Sequence, residues 1–359
     1  MTMDIASYLK EYGGYEVFVY ASRISEAQLN DEMLSNFTLR KIPTQLISHS
    51  RTKQIERYIL EDEIDILVQP GKAIPGIEKI KERTCVKTIV ACHGEPFWQR
   101  HVIMHRRQKG FFRKLMWHLF NRRRFEDGTL AMRMAISRTR RDYETSDAYT
   151  VLCRSYIQET LSVLGLDEAS SHIYAIENSE RRVAEVNYNK ENIILFVGRF
   201  ENWSKRIDRL LRIWHSVQDR MSEWKLVLVG DGTDWHRMRN LAKAMHLQRV
   251  HFEGRQNNVA EYYQKASVVV LTSETEGWPL ALTEAQAQGC VCVAFDCTSG
   301  IKDVLSLNGE CGFIVPAFDE QKFAETLLKI VAMIDSEMLC IRKNAVAKRL
   351  EYVPEVISE

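Results

Sequence analysis

The feature that most constrains this chain is its rhythm. Short apolar, β-branched runs recur along its whole length and alternate with stretches of helical character. The runs are Glu16–Tyr20, Asp65–Val68, Val86–Cys92, Tyr149–Cys153, Ile193–Val197, Lys225–Val229, Val250–Phe252, Val268–Leu271, Cys290–Phe295 and Gly312–Val315. Most are continuously apolar rather than alternating, the pattern of strands buried on both faces of a parallel sheet. Strand–helix alternation of this kind predicts a doubly wound α/β fold. At about 150 residues per domain, 359 residues favour two domains. The polar stretch Glu177-Asn178-Ser179-Glu180-Arg181-Arg182 and the run Asn189-Lys190-Glu191-Asn192 mark the boundary. We therefore expect a domain over 1–176, a linker over 177–191, a second domain over 192–340, and a tail or helix over 341–359. Two such domains form a cleft between them, a common place for ligands.

Charge excludes some functions. Lys plus Arg number 49 and Asp plus Glu 48, a net charge of +1, so a globally basic nucleic-acid binder is not expected. No apolar run approaches the roughly 18 residues needed to span a bilayer. Asp4, Lys10 and Glu11 argue against a signal peptide in the first fifteen residues. The eight cysteines contain no CxxC pair, and several fall in strand-like runs, so they read as buried thiols of a reducing cytoplasm. Glu61-Asp62-Glu63 with Asp65 has metal-like spacing, but it precedes an apolar strand and reads as a solvated helix end. No metal site is expected.

The C-terminal half carries the chemistry. The run Ile193–Val197 ends at Gly198, where the backbone can pass close to a ligand, and Arg199 and Lys205 follow. Ligands of open α/β sheets bind at the carboxyl ends of strands. Two cations there suit a diphosphate, Arg through its fork and Lys as a point charge. A second strand, Val268–Leu271, runs through a tight loop containing Glu276-Gly277-Trp278-Pro279-Leu280 into a helix. Pro279 fits the first helical turn. Free N–H groups around Gly277–Leu280 would make an anion site backed by the helix dipole. Glu276 in the loop and Glu284 about one turn into the helix can each grip hydroxyl-rich groups.

These motifs resemble those of the retaining family-4 glycosyltransferases of GT-B fold. The Glu-x7-Glu pattern, with Gly after the first Glu, is present as Glu276-Gly277 through Glu284. The strand ending Val197-Gly198-Arg199 with a following Lys, the run Leu226–Gly232, and Val250-His251-Phe252-Glu253-Gly254 fit in order and spacing. The resemblance covers about 176–335 strongly and the N-terminal half weakly. It implies two Rossmann-like domains facing a cleft, with a nucleotide-sugar donor, UDP-linked by family habit, held by the C-terminal one. Carried over, Arg199 and Lys205 bind the diphosphate and Glu284 the ribose. Glu276 contacts the transferred sugar, helped by N–H groups near Gly277 and Trp278, and Gly254-Arg255-Gln256 lies along the base. Arg206 departs from the pattern, since the family often has Gly after the Lys. No cofactor is implied beyond the nucleotide sugar, which is a substrate. The implied chemistry is a front-face, metal-independent transfer in which the leaving phosphate helps deprotonate the acceptor.

In the N-terminal half, His93-Gly94-Glu95-Pro96 follows a strand, and His93 with Pro96 matches the family's His-x-x-Pro pattern facing the donor sugar. Residues 100–141 hold thirteen Lys or Arg and two acidic residues. Phe112, Leu115, Met116 and Leu119 would form one apolar face flanked by Arg113, Lys114 and Arg122-Arg123-Arg124. That suits a helix over about 111–124 on an anionic membrane. A core-facing helix with a solvated basic side is the alternative, and a nucleic-acid patch lacks any recognised module. The implied setting is the cytoplasm, peripheral on the inner face of the plasma membrane, with a glycan or lipid-linked acceptor. The family opens with a strand and Gly-rich loop. Here a helix-like stretch, Asp4–Glu11, comes first and Gly13-Gly14 reads as its C-cap, so the first strand is expected to be lacking. A GT-B sugar-nucleotide epimerase and a non-catalytic nucleotide-sugar binder remain as alternatives. A Rossmann dehydrogenase is disfavoured, because Gly230-Asp231-Gly232 lacks the third glycine of GxGxxG.

Overall fold

The computed structural model describes residues 9–11, 13–22, 36–43, 48–100, 129–178, 183, 185–306 and 309–352. The basic segment around 111–124 lies outside the described residues. So does Met1–Tyr8, most of the helix-like stretch read over Asp4–Glu11; residues 9–11 of it are helical.

The N-terminal half runs β1 (Phe18–Ala21), β2 (Thr38–Lys41), α1 (Ser48–Glu61), β3 (Ile66–Pro70), α2 (Ile77–Thr84), β4 (Lys87–Ala91), α3 (Thr129–Glu144), β5 (Ala148–Val151), α4 (Arg154–Leu164) and β6 (Ile173–Ala175). β1 and β2 form a parallel pair, and β3-β4-β5-β6 form a four-stranded parallel sheet in that order. α1 joins the two sheets. Its Tyr58 hydroxyl donates to Lys41 O at 3.2 Å, and Tyr20 of β1 donates to Asp62 just beyond α1 at 2.9 Å. Asp62 corrects the solvated reading of the 61–65 carboxylates. Its side chain is buried and ion-paired with Arg40 of β2, because two short strands packed over the helix end exclude water there. β2 and β6 were not among the expected strands. Thr-Leu-Arg-Lys has no apolar run, and Ile-Tyr-Ala is too short to show one.

The C-terminal half runs β7 (Glu191–Val197), α5 (Asn202–Lys205), α6 (Ile207–Val217), β8 (Lys225–Val229), α7 (Trp235–Ala244), β9 (Val250–Gly254), α8 (Ala260–Lys265), β10 (Ala266–Leu271), α9 (Leu280–Ala287), β11 (Val291–Phe295), α10 (Ser299–Leu305), β12 (Phe313–Val315), α11 (Glu320–Val331) and α12 (Asp335–Leu350). Its six parallel strands lie in the order β12-β11-β10-β7-β8-β9. Leu195 of β7 sits opposite Val269 on one side and Val227 on the other. Every residue of β10 and β11 is buried, as continuous apolar runs require. Each such Val or Leu contributes about 1.5–3 kcal/mol of burial. α6 turns Leu210, Leu211, Ile213, Trp214 and Val217 onto one face of this sheet. Residue 341 lies within α12, which places Met338, Ile341 and Ala345 in the C-terminal domain's interior.

The boundary is not a loose tether. Lys190 Nζ donates to the carbonyls of Tyr263 at 2.9 Å and Gln288 at 2.7 Å, and Arg342 of α12 donates to Tyr188 O at 3.2 Å. One apolar cluster continues from Val90, Val151 and Tyr156 of the first domain to Trp278, Leu282 and Ile301 of the second. The eight cysteines are all free thiols. Five are buried, but Cys85 and Cys340 are exposed, since Cys85 caps α2 at the surface and Cys340 lies on the outer side of α12.

Candidate active site

Strand order fixes where a ligand can enter. β7 begins the second sheet and is flanked by β8 and β10, so the direction of chain progression reverses between β7 and β10. Helices leaving these two strands diverge, and the crevice at their carboxyl ends is the usual ligand position. The segments after β7 and β10 converge there. Lys205, at the end of α5, reaches Glu276 Oε1 with its Nζ at 2.7 Å, and both side chains are largely buried. Ser273 Oγ donates to the same carboxylate oxygen at 2.5 Å. The Glu274 N–H donates to Ser204 O at 2.7 Å, so the two loops are joined through backbone as well.

Arg206 explains how Lys205 is aimed. It joins α5 to α6 in the left-handed region, with φ 45°, the conformation glycine adopts most easily. Its guanidinium holds Asp208 at 3.0 and 3.1 Å and Glu274 at 3.0 Å. These bonds offset a backbone cost of about 1–2 kcal/mol. The turn therefore survives without glycine.

The glycine-rich floor is tightly packed. A Cβ on Gly230, with φ 133°, would lie 1.9 Å from Gly198 O, so the loops after β7 and β8 touch backbone to backbone. Arg199 follows Gly198. Its side chain is 75% exposed and bonds Glu201 at 3.3 Å, so of the two cations only Lys205 is fastened inside the crevice. Pro279 is the N-cap residue of α9 rather than part of its first turn. Leu280 is exposed at the start of that helix. Glu284, on α9, is exposed. The surrounding protein pushes its carboxyl pKa up, and the Tyr263 hydroxyl, donating at 2.9 Å, counters this. Arg255 follows β9 at the same sheet edge and is exposed.

The carboxyl ends of the two sheets face each other. His93 and Gly94 follow β4, and a Cβ on Gly277 would lie 2.8 Å from Gly94 Cα and 3.1 Å from His93 O. His93 Nδ1 is buried without a hydrogen-bond partner, and burial holds the imidazole pKa below its ordinary value. The Trp278 indole N–H is likewise buried without a partner, and its ring lies 5.9 Å from that of Tyr352. Such groups are suited to a polar ligand, since leaving them unpaired is costly.

Several residues here escaped the sequence reading. Tyr156 on α4 reaches Gly277 O at 2.9 Å and Glu276 O at 3.1 Å, and Thr298 Oγ donates to Glu276 O at 2.9 Å. Ser155 donates to Asp303 on α10 at 2.9 Å. Glu95, the neighbour of the His93 turn, is buried and ion-paired with Arg100 at 3.3 Å. No motif marks these positions: the Tyr156 and Ser155 contacts span more than a hundred residues, Thr298 bonds a loop 22 residues before it, and Glu95 sits in a turn without a signature. Among the described residues no cluster of His, Cys, Asp and Glu is arranged to hold a metal.

Two facing Rossmann-like domains with an anion-suited crevice in the second define the class: a GT-B fold. Solved structures agree. The chain matches the lipopolysaccharide outer core galactosyltransferase WaaB in its apo form with TM-score 0.69 at 16% identity, over 99% of this chain and 92% of that one. It matches Anabaena HepE, solved with UDP and glucose, with TM-score 0.72 at 13% identity, over 99% and 92%. Residues 177–345 match the model of the family Glycosyl transferases group 1. Over 186 residues the sequence is 33% identical to the amylovoran biosynthesis glycosyltransferase AmsD of Erwinia amylovora, covering 50% of each chain. The match thus spans about half the length of that relative.

Proposed function

We propose that this protein is a retaining, family-4 glycosyltransferase that moves a sugar from a UDP-sugar to a glycan or lipid-linked acceptor. The observation that carries the reading is the Lys205–Glu276 pair at the sheet's switch point, beside a loop whose Gly277 and Trp278 N–H groups lack acceptors among the described residues, whereas the Leu280 N–H, expected to be free, donates to Trp278 O at 2.9 Å. Lys205 and Arg199 take the diphosphate. Glu276 and the Gly277 and Trp278 N–H groups contact the transferred sugar and the phosphate nearest it, with Gly198, Pro279 and Leu280 shaping the loops. Glu284 takes the ribose, Arg255 the base, and His93 the sugar or acceptor from the other domain.

The transfer needs no protein nucleophile. As the bond from the anomeric carbon to the diphosphate oxygen breaks, charge grows on that phosphate, and Lys205, Arg199 and the N-terminus of α9 offset it. The acceptor oxygen bonds to the same face of the anomeric carbon, and its proton passes to the departing phosphate oxygen. On this reading Lys205, Arg199 and the α9 dipole supply the charge that a divalent ion would otherwise supply, and the transfer needs no metal.

The N-terminal domain, 1–176, supplies the acceptor side. The basic, apolar-interleaved segment 111–124 provides contact with an anionic membrane, which places the enzyme on the cytoplasmic face of the plasma membrane. Names of the similar proteins, amylovoran biosynthesis and lipopolysaccharide outer core, support a role in cell-surface polysaccharide assembly. No helix among the described residues is long and apolar enough to cross a membrane.

A thermal-shift panel of nucleotide sugars tests the donor reading. Binding to the folded state alone adds about 2.7 kcal/mol of apparent stability at a hundredfold excess over Kd. One UDP-sugar is expected to raise the Tm and to be consumed when a lipid-linked acceptor is added. No shift with any nucleotide sugar would refute the donor site. A shift without transfer or hydrolysis would refute the enzyme. EDTA is expected to leave the rate unchanged, and neutralising Arg122–Arg124 to lower binding to anionic liposomes.

A further inference from the structure

The donor loop is held from the other domain. Tyr156 is fully buried at the start of α4, and its hydroxyl faces the carbonyls of Glu276 and Gly277 at 3.1 and 2.9 Å. Thr298, at the start of α10, donates to the Glu276 carbonyl from the second domain at 2.9 Å. The described peptide bonds are all trans. A planar trans peptide places its C=O and N–H on opposite sides. Fixing the carbonyl of Glu276 therefore turns the Gly277 N–H away from α4. Fixing the carbonyl of Gly277 does the same to the Trp278 N–H. Neither N–H has an acceptor among the described residues. The space around Gly277 leaves the loop little choice: a Cβ there would meet Gly94 of the first domain at 2.8 Å, and a Cβ on Gly300 would meet Gly277 O at 2.5 Å and the Tyr156 hydroxyl at 2.8 Å.

We propose that Tyr156 is a positioning residue that sets the Gly277–Trp278 peptide plane, so that the Trp278 N–H is aimed into the anion site only when the first domain is seated on the second, while Thr298 of the second domain shares in setting the Gly277 N–H. This deepens the donor-site reading and rests on it. Tyr156 touches no substrate. It acts through two carbonyls, and it makes affinity for the outer phosphate of the donor depend on domain seating. Ser155 bonding Asp303 on the same pair of helices, α4 and α10, keeps the hydroxyl in register with the loop.

The experiment compares UDP with UMP, and GDP with GMP in parallel, by calorimetric titration of the whole chain. The readout is the ratio of the two Kd values, which reports the outer phosphate and cancels any general loosening of the site. Tyr156→Phe keeps the ring and removes the hydroxyl. It is expected to weaken diphosphate binding about three- to tenfold, the range of one hydrogen bond, while monophosphate binding stays within twofold. Gly300→Ala, whose Cβ displaces the same hydroxyl and carbonyl while leaving residue 156 a tyrosine, is expected to shift the ratio the same way. It carries the test if the Phe variant does not fold. Equal weakening of both nucleotides, or no change in either, in both variants would overturn the proposal and leave Tyr156 an ordinary interface residue. A wild-type chain that binds none of the four nucleotides would instead overturn the donor site itself. The two failures are therefore distinguishable.

Discussion

Glu276→Gln separates the two roles assigned to the crevice, because it should improve one and damage the other. In the structure Lys205 Nζ is held by Glu276 at 2.7 Å. A phosphate oxygen bound on the far side of the same ammonium would lie about 5.5 Å from that carboxylate. At effective dielectric constants between about 20 and 80, the repulsion is about 0.8–3 kcal/mol. A middle value near 1.4 kcal/mol is a factor of ten in Kd. The amide keeps the side chain's shape and its bond with Ser273 but removes the charge. UDP alone should therefore bind the Gln variant about tenfold more tightly, with a smaller gain at high salt. Transfer from the UDP-sugar should fall by a hundredfold or so, the scale for losing one charged contact to the reacting group. Titration calorimetry at two ionic strengths and a steady-state assay read both effects. UDP binding that is unchanged or weaker in the Gln variant would refute the argument, since it would mean that the carboxylate does not face the phosphates.

Gly230→Ala is expected to destabilise the second domain by at least about 3 kcal/mol, because its Cβ would meet Gly198 O at 1.9 Å and its φ of 133° disfavours any side chain; urea unfolding followed by tryptophan fluorescence checks this. Arg206→Gly and Arg206→Ala lose the same ion pairs to Asp208 and Glu274, but only Gly relaxes a φ of 45°, so urea midpoints should show Gly the more stable by about 1 kcal/mol. Asp147 gives the acid limb. Burial alone would raise its pKa, but Lys81 with the Thr88 N–H and hydroxyl outweigh it and hold the carboxyl at about 2. A folded pKa below the unfolded value of about 3.9 stabilises above that value and is lost as pH falls from about 4 towards 2. The group is partly exposed, so screening limits the effect to about 1 kcal/mol. Asp147→Asn should flatten the pH dependence of Tm across that window, and an unchanged acid limb would remove Asp147 from the account.

The second domain was legible because its central strands are buried on both faces, β9 at the edge being half exposed. Burial on both sides forces unbroken apolar runs, and unbroken runs such as Val268–Leu271 and Cys290–Phe295 stand out without help from neighbours. Boundaries moved by a residue or two; β10 starts at Ala266, where α8 passes directly into the strand. β2 was illegible for the opposite reason. It pairs with one strand only, and its Arg40 faces Asp62 rather than an apolar layer, so its residues need not be apolar. Carboxylates near Asp62 looked solvated because the sequence shows them beside other charges. It does not show that Tyr20 and Arg40 fold over them.

The site divides along the same line. Lys205, Glu276 and Gly277 could be found because a strand end followed by a glycine and a charge is local information, and local order survives folding. Tyr156 could not. Its helix reads as an ordinary amphipathic element, with Tyr156, Thr160, Leu161 and Leu164 on the buried side. A buried aromatic there is what packing alone demands. Only its hydroxyl is unexplained by packing, and a hydroxyl in a core must find an acceptor. It finds two, in a loop 120 and 121 residues away. The polar atom on a residue chosen for its apolar ring is thus where the two domains become one site. Phe would satisfy the core equally well, so the hydroxyl is the part of Tyr156 that answers to the donor loop.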